Sequence, residues 1–195
     1  MQQVPIFALS ATLFPRGLLP LRVFETRYMD MAKDCLRHGT EFGICLITEG
    51  KEIGAAPSIS AVGCLARITE WDMPELGILQ ITAEGTERFH VRERRVSSSG
   101  LIVAGIETFE PELPLPVPVE FEGMARLLRA IVENADERYF PRPLRFDDAV
   151  WVSFRLAEVL PIALGRKYQA LAMVDPLERL ALLRDCLMEQ RGRTA

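Results

Sequence analysis

The stretch Phe14-Pro15-Arg16-Gly17-Leu18-Leu19-Pro20-Leu21-Arg22-Val23-Phe24-Glu25-Thr26-Arg27-Tyr28 decides how this chain is read. Its two prolines and one glycine predict an irregular loop. Phe24 and Tyr28 stand four residues apart as aromatic anchors. Glu25 and Arg27 bracket the start of a helix predicted over Thr26–Arg37, and an acidic group there is favoured by the helix dipole. Tyr28, Met31, Ala32 and Cys35 recur at three- and four-residue spacing, and Gly39 ends the pattern.

On either side of this loop and helix the period changes to two. Val4–Leu9, the run Phe42–Thr48 (FGICLIT), Val62–Ile68, Leu79–Ala83, Phe89–Val91 and Leu101–Thr108 read as strands of a mostly antiparallel sheet. With about six strands, closure into a small barrel removes exposed edges. Trp71-Asp72-Met73-Pro74-Glu75-Leu76 reads as a loop between two of these strands, with Trp71 and Met73 either exposed anchors for a protein partner or packed at the loop tip. Ser97-Ser98-Ser99-Gly100 reads as a turn.

Four prolines, Pro111, Pro114, Pro116 and Pro118, make residues 111–119 a stiff, extended connector. It divides the chain into a β-rich part, 1–110, and a helical part, 120–195. In the second part Phe121, Met124, Leu127, Leu128, Ile131 and Ala135 form one stripe, and Val150, Phe154, Ala157 and Leu160 another, with Trp151 beside it. Lys167–Met173 reads as a short helix. Asp175-Pro176-Leu177-Glu178 is a capping signal ahead of Leu180, Leu183 and Leu187. About four helices are expected, packed as a bundle, with a frayed tail from Arg191 to Ala195.

The 195 residues, 49% hydrophobic and 26% charged, suffice for two small domains with real cores. Apolar runs of membrane-spanning length are missing, and Pro5, Pro15, Arg16, Gly17 and Pro20 interrupt anything resembling a secretory leader, so a cytoplasmic location is expected. A net charge of −4 does not favour nucleic acid, although Arg88, Arg92, Arg94 and Arg95 make a local basic cluster with Glu87 and Glu93 nearby. Of 23 basic residues 20 are arginine, the cation suited to partly buried pairs. Cys35, Cys45, Cys64 and Cys186 lie outside any C-x-x-C pair and are expected to be reduced and buried. The sequence holds no P-loop, G-x-G-x-x-G, H-E-x-x-H or G-x-S-x-G signature, and Lys33, Lys51 and Lys167 sit in polar settings. No cofactor, metal site or catalytic activity is expected.

The Phe14–Tyr28 stretch resembles the opening of the Lon protease N-terminal (substrate-binding) domain family, F-P-x-x-x-L-P-L-x-x-F-E-x-R-Y. Val62-Gly63-Cys64-Leu65-Ala66-Arg67-Ile68 is similar to the family's V-G-x-x-A-x-I strand, and Glu84-Gly85-Thr86-Glu87-Arg88-Phe89 to its E-G-x-x-R-F turn and strand. In the helical part, Leu156–Pro161, Lys167–Leu171 and Glu178-Arg179-Leu180 are similar too. The resemblance implies an α+β protein: a PUA-like β pseudobarrel with one inserted helix, then a helical bundle. It also implies a stand-alone binding module without the ATPase and protease domains of full-length Lon. The expected partner is unfolded or extended polypeptide, and the role that of an adaptor or chaperone-like accessory to a protease or chaperone system. Phe14, Pro15, Pro20, Leu21, Phe24, Glu25, Arg27, Tyr28, Trp71 and Met73 are the candidate peptide-binding or structural residues. Arg67, Glu84, Gly85 and Arg88 are expected to act as ion-pair or turn residues, Gly85 by supplying a backbone conformation or a close approach that a side chain would block. RNA binding through the barrel and its arginines, and a small-ligand sensor or enzyme, are the alternatives.

Overall fold

Along β1 (Gln2–Leu9), Val4, Ile6 and Ala8 alternate with Phe7 and Leu9, and all five are buried. A strand covered on both faces needs apolar residues at every position. The same holds for the first half of β3 (Phe42–Glu49), where Phe42, Gly43, Ile44 and Cys45 are buried; β3 pairs with β1 in parallel, Ile6 opposite Gly43. The computed structural model that shows this describes residues 2–135, 139–140 and 142–194.

The remaining strands pair antiparallel. They are β2 (Leu18–Val23), β4 (Ser58–Glu75), β5 (Ile78–Val96) and β6 (Ile102–Thr108). The sheet runs β2-β5-β4-β3-β1-β6, and β6 pairs back onto β5. Five strands, β1, β3, β4, β5 and β6, therefore close into a ring, the expected pseudobarrel. β5 makes this possible by its length: its Leu79–Glu84 segment pairs with β2, and its Phe89–Val96 segment with β6.

The ring is filled by Val4, Ile6, Cys45, Leu65, Phe89, Ile102, Ala104 and Ile106. The Phe89 ring takes the space that side chains at Gly43 and Gly63 would need; a Cβ there would lie 2.8 and 2.6 Å from its Cζ. A second core lies outside the ring. Helix α1 (Thr26–His38) packs Tyr28, Met31, Ala32 and Cys35 with Phe7, Phe42, Ile44, Leu79 and Ile81. As expected, Gly39 ends α1 in the left-handed conformation, at φ 63°.

Two sequence expectations are corrected here. The proline-bearing loop is in part a strand: Leu18–Val23 pairs with β5, and Pro20 is tolerated because β2 is an edge strand. Residues 71–76 are not a loop. β4 runs through Trp71 to Glu75, and only Leu76-Gly77 turns the hairpin into β5, with Gly77 at φ 84°.

The chain divides into two units, Met1–Glu110 and Pro111–Ala195. The proline-rich segment belongs to the second. It is extended and tied down, with Val117 N donating to Asp147 O at 3.0 Å and Ala149 N to Leu115 O at 2.7 Å. The helices of this unit are α2 (Glu122–Glu133), α3 (Ala149–Val159), α4 (Leu164–Ala172) and α5 (Pro176–Thr194). Asp175 caps α5 as its sequence predicts, its Oδ1 accepting from Leu177 N at 2.7 Å. α5 runs on to Thr194, where fraying is expected from Arg191; Ala195 lies outside the described residues. Arg179 is fully buried and donates to Ala170 O, Ser153 Oγ, Met173 O and Glu112 Oε1, the last at 2.8 Å.

Candidate functional site

The Phe14–Tyr28 residues separate into two populations. Phe14 and Tyr28 are core: Phe14 is fully buried, and Tyr28 stacks on Phe7 with ring centroids 4.1 Å apart. Phe24, by contrast, is 55% exposed. The two aromatics four apart thus do different work, because Tyr28 lies on the packed face of α1 and Phe24 precedes the helix.

Phe14-Pro15-Arg16-Gly17 forms a β-turn, closed by Gly17 N donating to Phe14 O at 2.9 Å. Arg16 adopts φ 63°, a strained value for a residue with a side chain. The strain is held by backbone bonds on both sides: Arg16 N to Gly85 O at 2.8 Å, and Gly85 N to Gly17 O at 2.9 Å. Gly85 lies flat beneath the turn, and a Cβ there would collide with the Phe14 carbonyl. Gly85 is in the middle of β5 and not in a turn. Its small size answers to the close approach. Beside it, the Glu84 carboxylate accepts from Arg67 Nη2 at 2.7 Å and faces Arg16 Nε at 3.7 Å. The opening motif and the Glu84-Gly85 motif are therefore two halves of one lock.

A second lock anchors α1. Arg27 is buried and donates to Gly100 O at 3.1 Å and Glu52 O at 3.2 Å, and its Nη2 lies 3.0 Å from Glu25 Oε2. These bonds tie the helix start to two loops. Phe24, Glu25, Arg27, Gly54 and Gly100 also line a shallow cavity of about 450 Å³.

The exposed candidates gather on the arm made by β2, the first half of β5 and the end of β4. Registers place Leu21, Ile81 and Trp71 in one row across the three strands. Residues directly opposite share a face. Ile81 is buried in the outer core and Leu21 packs against that core, yet Trp71, on the same row, is 61% exposed. The reason is topological: among the described residues no strand pairs with the far side of β4 beyond Ala66. Met73 and Leu76 are exposed further along the same hairpin. The other face of the arm carries two polar rows, Pro20-Thr82-Glu70 and Arg22-Gln80-Asp72. A groove of about 600 Å³ crosses the arm, lined by Pro20, Leu21, Trp71, Asp72 and their neighbours. Sequence reasoning missed Glu70, Gln80 and Thr82. Reading 71–76 as a loop hid the period-two alternation of Trp71 and Met73 with Asp72.

The other sequence candidates fall elsewhere. Arg88 is buried, its guanidinium 4.3 Å above the Phe109 ring. Arg92 pairs with Glu107 at 2.7 Å, so one arginine of the basic cluster is buried and another is held in a surface pair. Lys167 is half-buried and donates to Glu158 O at 2.7 Å. Beside it, burial pushes the Glu158 carboxyl up to about 7, opposed by Arg155 at 3.2 Å and by Lys167. All four cysteines are buried thiols, and burial pushes Cys45 to about 12, far from a reactive thiolate.

A strand ring with a pinned loop, an exposed hairpin arm and a following helical unit make up the described architecture. The family model for the ATP-dependent protease La (LON) substrate-binding domain matches residues 3–189, and the chain belongs to that family. A solved Lon N-terminal domain protein from Xanthomonas campestris is 34% identical, with a TM-score of 0.79 over 95% of this chain and 98% of that one. The N-terminal domain of the Mycobacterium avium complex Lon protease, at 16% identity, shares the fold: TM-score 0.65 over 94% and 97%. No helix among the described residues is long and apolar enough to cross a membrane.

Proposed function

We propose that this substrate-binding domain holds unfolded or extended protein segments on the β2-β5-β4 arm, without itself cleaving them. The observation that carries the reading is Trp71: a row of core residues that ends, exposed, on an unpaired strand edge. Exposed apolar side chains along a strand edge that no described strand covers suit polypeptide better than a small ligand. Covering one tryptophan contributes on the order of 2–3 kcal/mol, whereas micromolar affinity needs about 8 kcal/mol. Trp71 therefore acts together with Met73, the groove and the strand edge. Phe14 and Tyr28 support the scaffold and do not touch the substrate. Captured segments would be kept from aggregating or passed to a protease or chaperone system.

The test uses the full chain and a reduced, carboxymethylated model protein that cannot refold. Fluorescence anisotropy should show nucleotide-independent binding, weakened at least about tenfold by Trp71→Ala. Binding that ignores Trp71→Ala and Met73→Ala would remove the arm from the reading. Proteolysis of the probe by the purified chain would overturn the non-catalytic assignment.

A further inference from the structure

We infer that the substrate segment adds as a strand to the open edge of β4, and that the arm selects segments in which apolar residues alternate with lysine or arginine. This rests on the reading of the arm as the binding surface, and goes further by naming the sequence pattern it accepts.

The pattern follows from what a new strand would meet on each face. A strand paired beside Thr69–Asp72 would continue the cross-strand rows by one position. On the inner face the row is Leu21-Ile81-Trp71, so the incoming residue would lie against Trp71 and needs to be apolar. On the outer face the rows end on Glu70 and Asp72, so the alternate residues would lie beside two carboxylates. Glu70 accepts from the Thr82 hydroxyl at 3.3 Å, and Asp72 from the Met73 amide at 2.8 Å. These neighbours orient the carboxylates and leave their charge in place. Glu75 adds a third acidic group before the turn.

Arg22 is the cation at the far end of the Asp72 row. Strand spacing puts its backbone about 10 Å from β4 and about 14 Å from an added strand, two and three strands away, whereas one strand spacing would separate an incoming residue from Glu70 and Asp72. Arg67 is engaged by Glu84. The incoming strand thus meets a negative field, and its cations are favoured. A second copy of this chain is disfavoured by the same charges: edge-to-edge pairing of two β4 strands would bring two sets of Glu70, Asp72 and Glu75 together.

The test uses the full chain and blocked peptides of about nine residues in which valine alternates with lysine, glutamate or threonine, read by anisotropy at low and high salt. The lysine peptide should bind at least about tenfold more tightly than the glutamate peptide at low salt, and the gap should narrow as salt rises. Charge reversal by Glu70→Lys with Asp72→Lys, both exposed, should invert the order. Collecting the same lysines and valines into two blocks, or methylating alternate backbone nitrogens along one edge, should abolish binding.

Equal affinity for the lysine and glutamate peptides, both weakened by Trp71→Ala, would overturn the charge rule and leave the arm as the binding surface. Binding of the unfolded probe protein but of none of the peptides would overturn strand addition. Failure of peptides and probe protein alike would overturn the underlying functional reading as well. A concentration-dependent dimer that Glu70→Lys with Asp72→Lys strengthens would assign the edge to a second copy of the chain and overturn the inference.

Discussion

The pinned loop around Phe14 and the hairpin arm around Trp71 are made of similar residues, aromatics and prolines beside charges, yet they meet opposite fates. In the loop, Phe14 is fully buried, the strained Arg16 is clamped by backbone bonds, and Glu84 holds Arg67 across the strands. On the arm, Trp71, Met73 and Leu76 remain in solvent on a strand whose far edge has no partner among the described residues. What separates them is the supply of neighbours. The turn of the lock is bonded to Gly85 and Glu84 of β5, whereas the arm continues past the strand that would have covered it. Structure consumes the first set of residues and leaves the second exposed, where the proposed binding would use it.

The sharpest way to break this contrast is to strike the lock at its tightest point. Gly85→Ala puts a methyl group against the Phe14 carbonyl, a backbone atom that cannot swing aside. Urea unfolding should show a loss of more than about 3 kcal/mol, at the upper end of overpacking effects. A variant as stable as the parent would mean that the turn is free to move.

Arg27→Met comes next. It keeps the bulk but removes the bonds to Gly100 O and Glu52 O and leaves Glu25 without its cation. A loss of about 2–3 kcal/mol is expected, with faster amide exchange in the loops near Glu52 and Gly100. Unchanged exchange there would contradict the anchoring role.

Glu84→Gln should cost less, about 1 kcal/mol, because Arg67 is more than half exposed and water screens the pair. Its thermal midpoint should fall by only a few degrees. The smallest effect on stability belongs to the arm. Trp71→Ala should leave the unfolding free energy within about 0.5 kcal/mol of the parent, as exposed positions do, while weakening capture of unfolded protein. A large loss of stability would show that Trp71 is core after all, and the contrast with Phe14 would collapse.

Much of the scaffold was legible from sequence because its signals are local. Tyr28, Met31, Ala32 and Cys35 announce one face of α1, Gly39 its end, and Asp175 the start of α5, as the structure shows. Gly85 announced either a special backbone conformation or a close approach, and the structure shows the second, with the Phe14 carbonyl. The strand character of Leu18–Val23 and of Trp71–Glu75 was hidden, because Pro20, Asp72 and Pro74 are turn-formers by propensity and become acceptable only at a sheet edge.

The sequence by itself determined the α+β class and the family, since period and motif depend on neighbours a few residues away. Only the tertiary structure decided which aromatic is core and which is surface. Phe14 and Trp71 look alike in a linear chain. Their burial depends on whether another strand lies alongside, and that depends on the register of residues far apart in sequence.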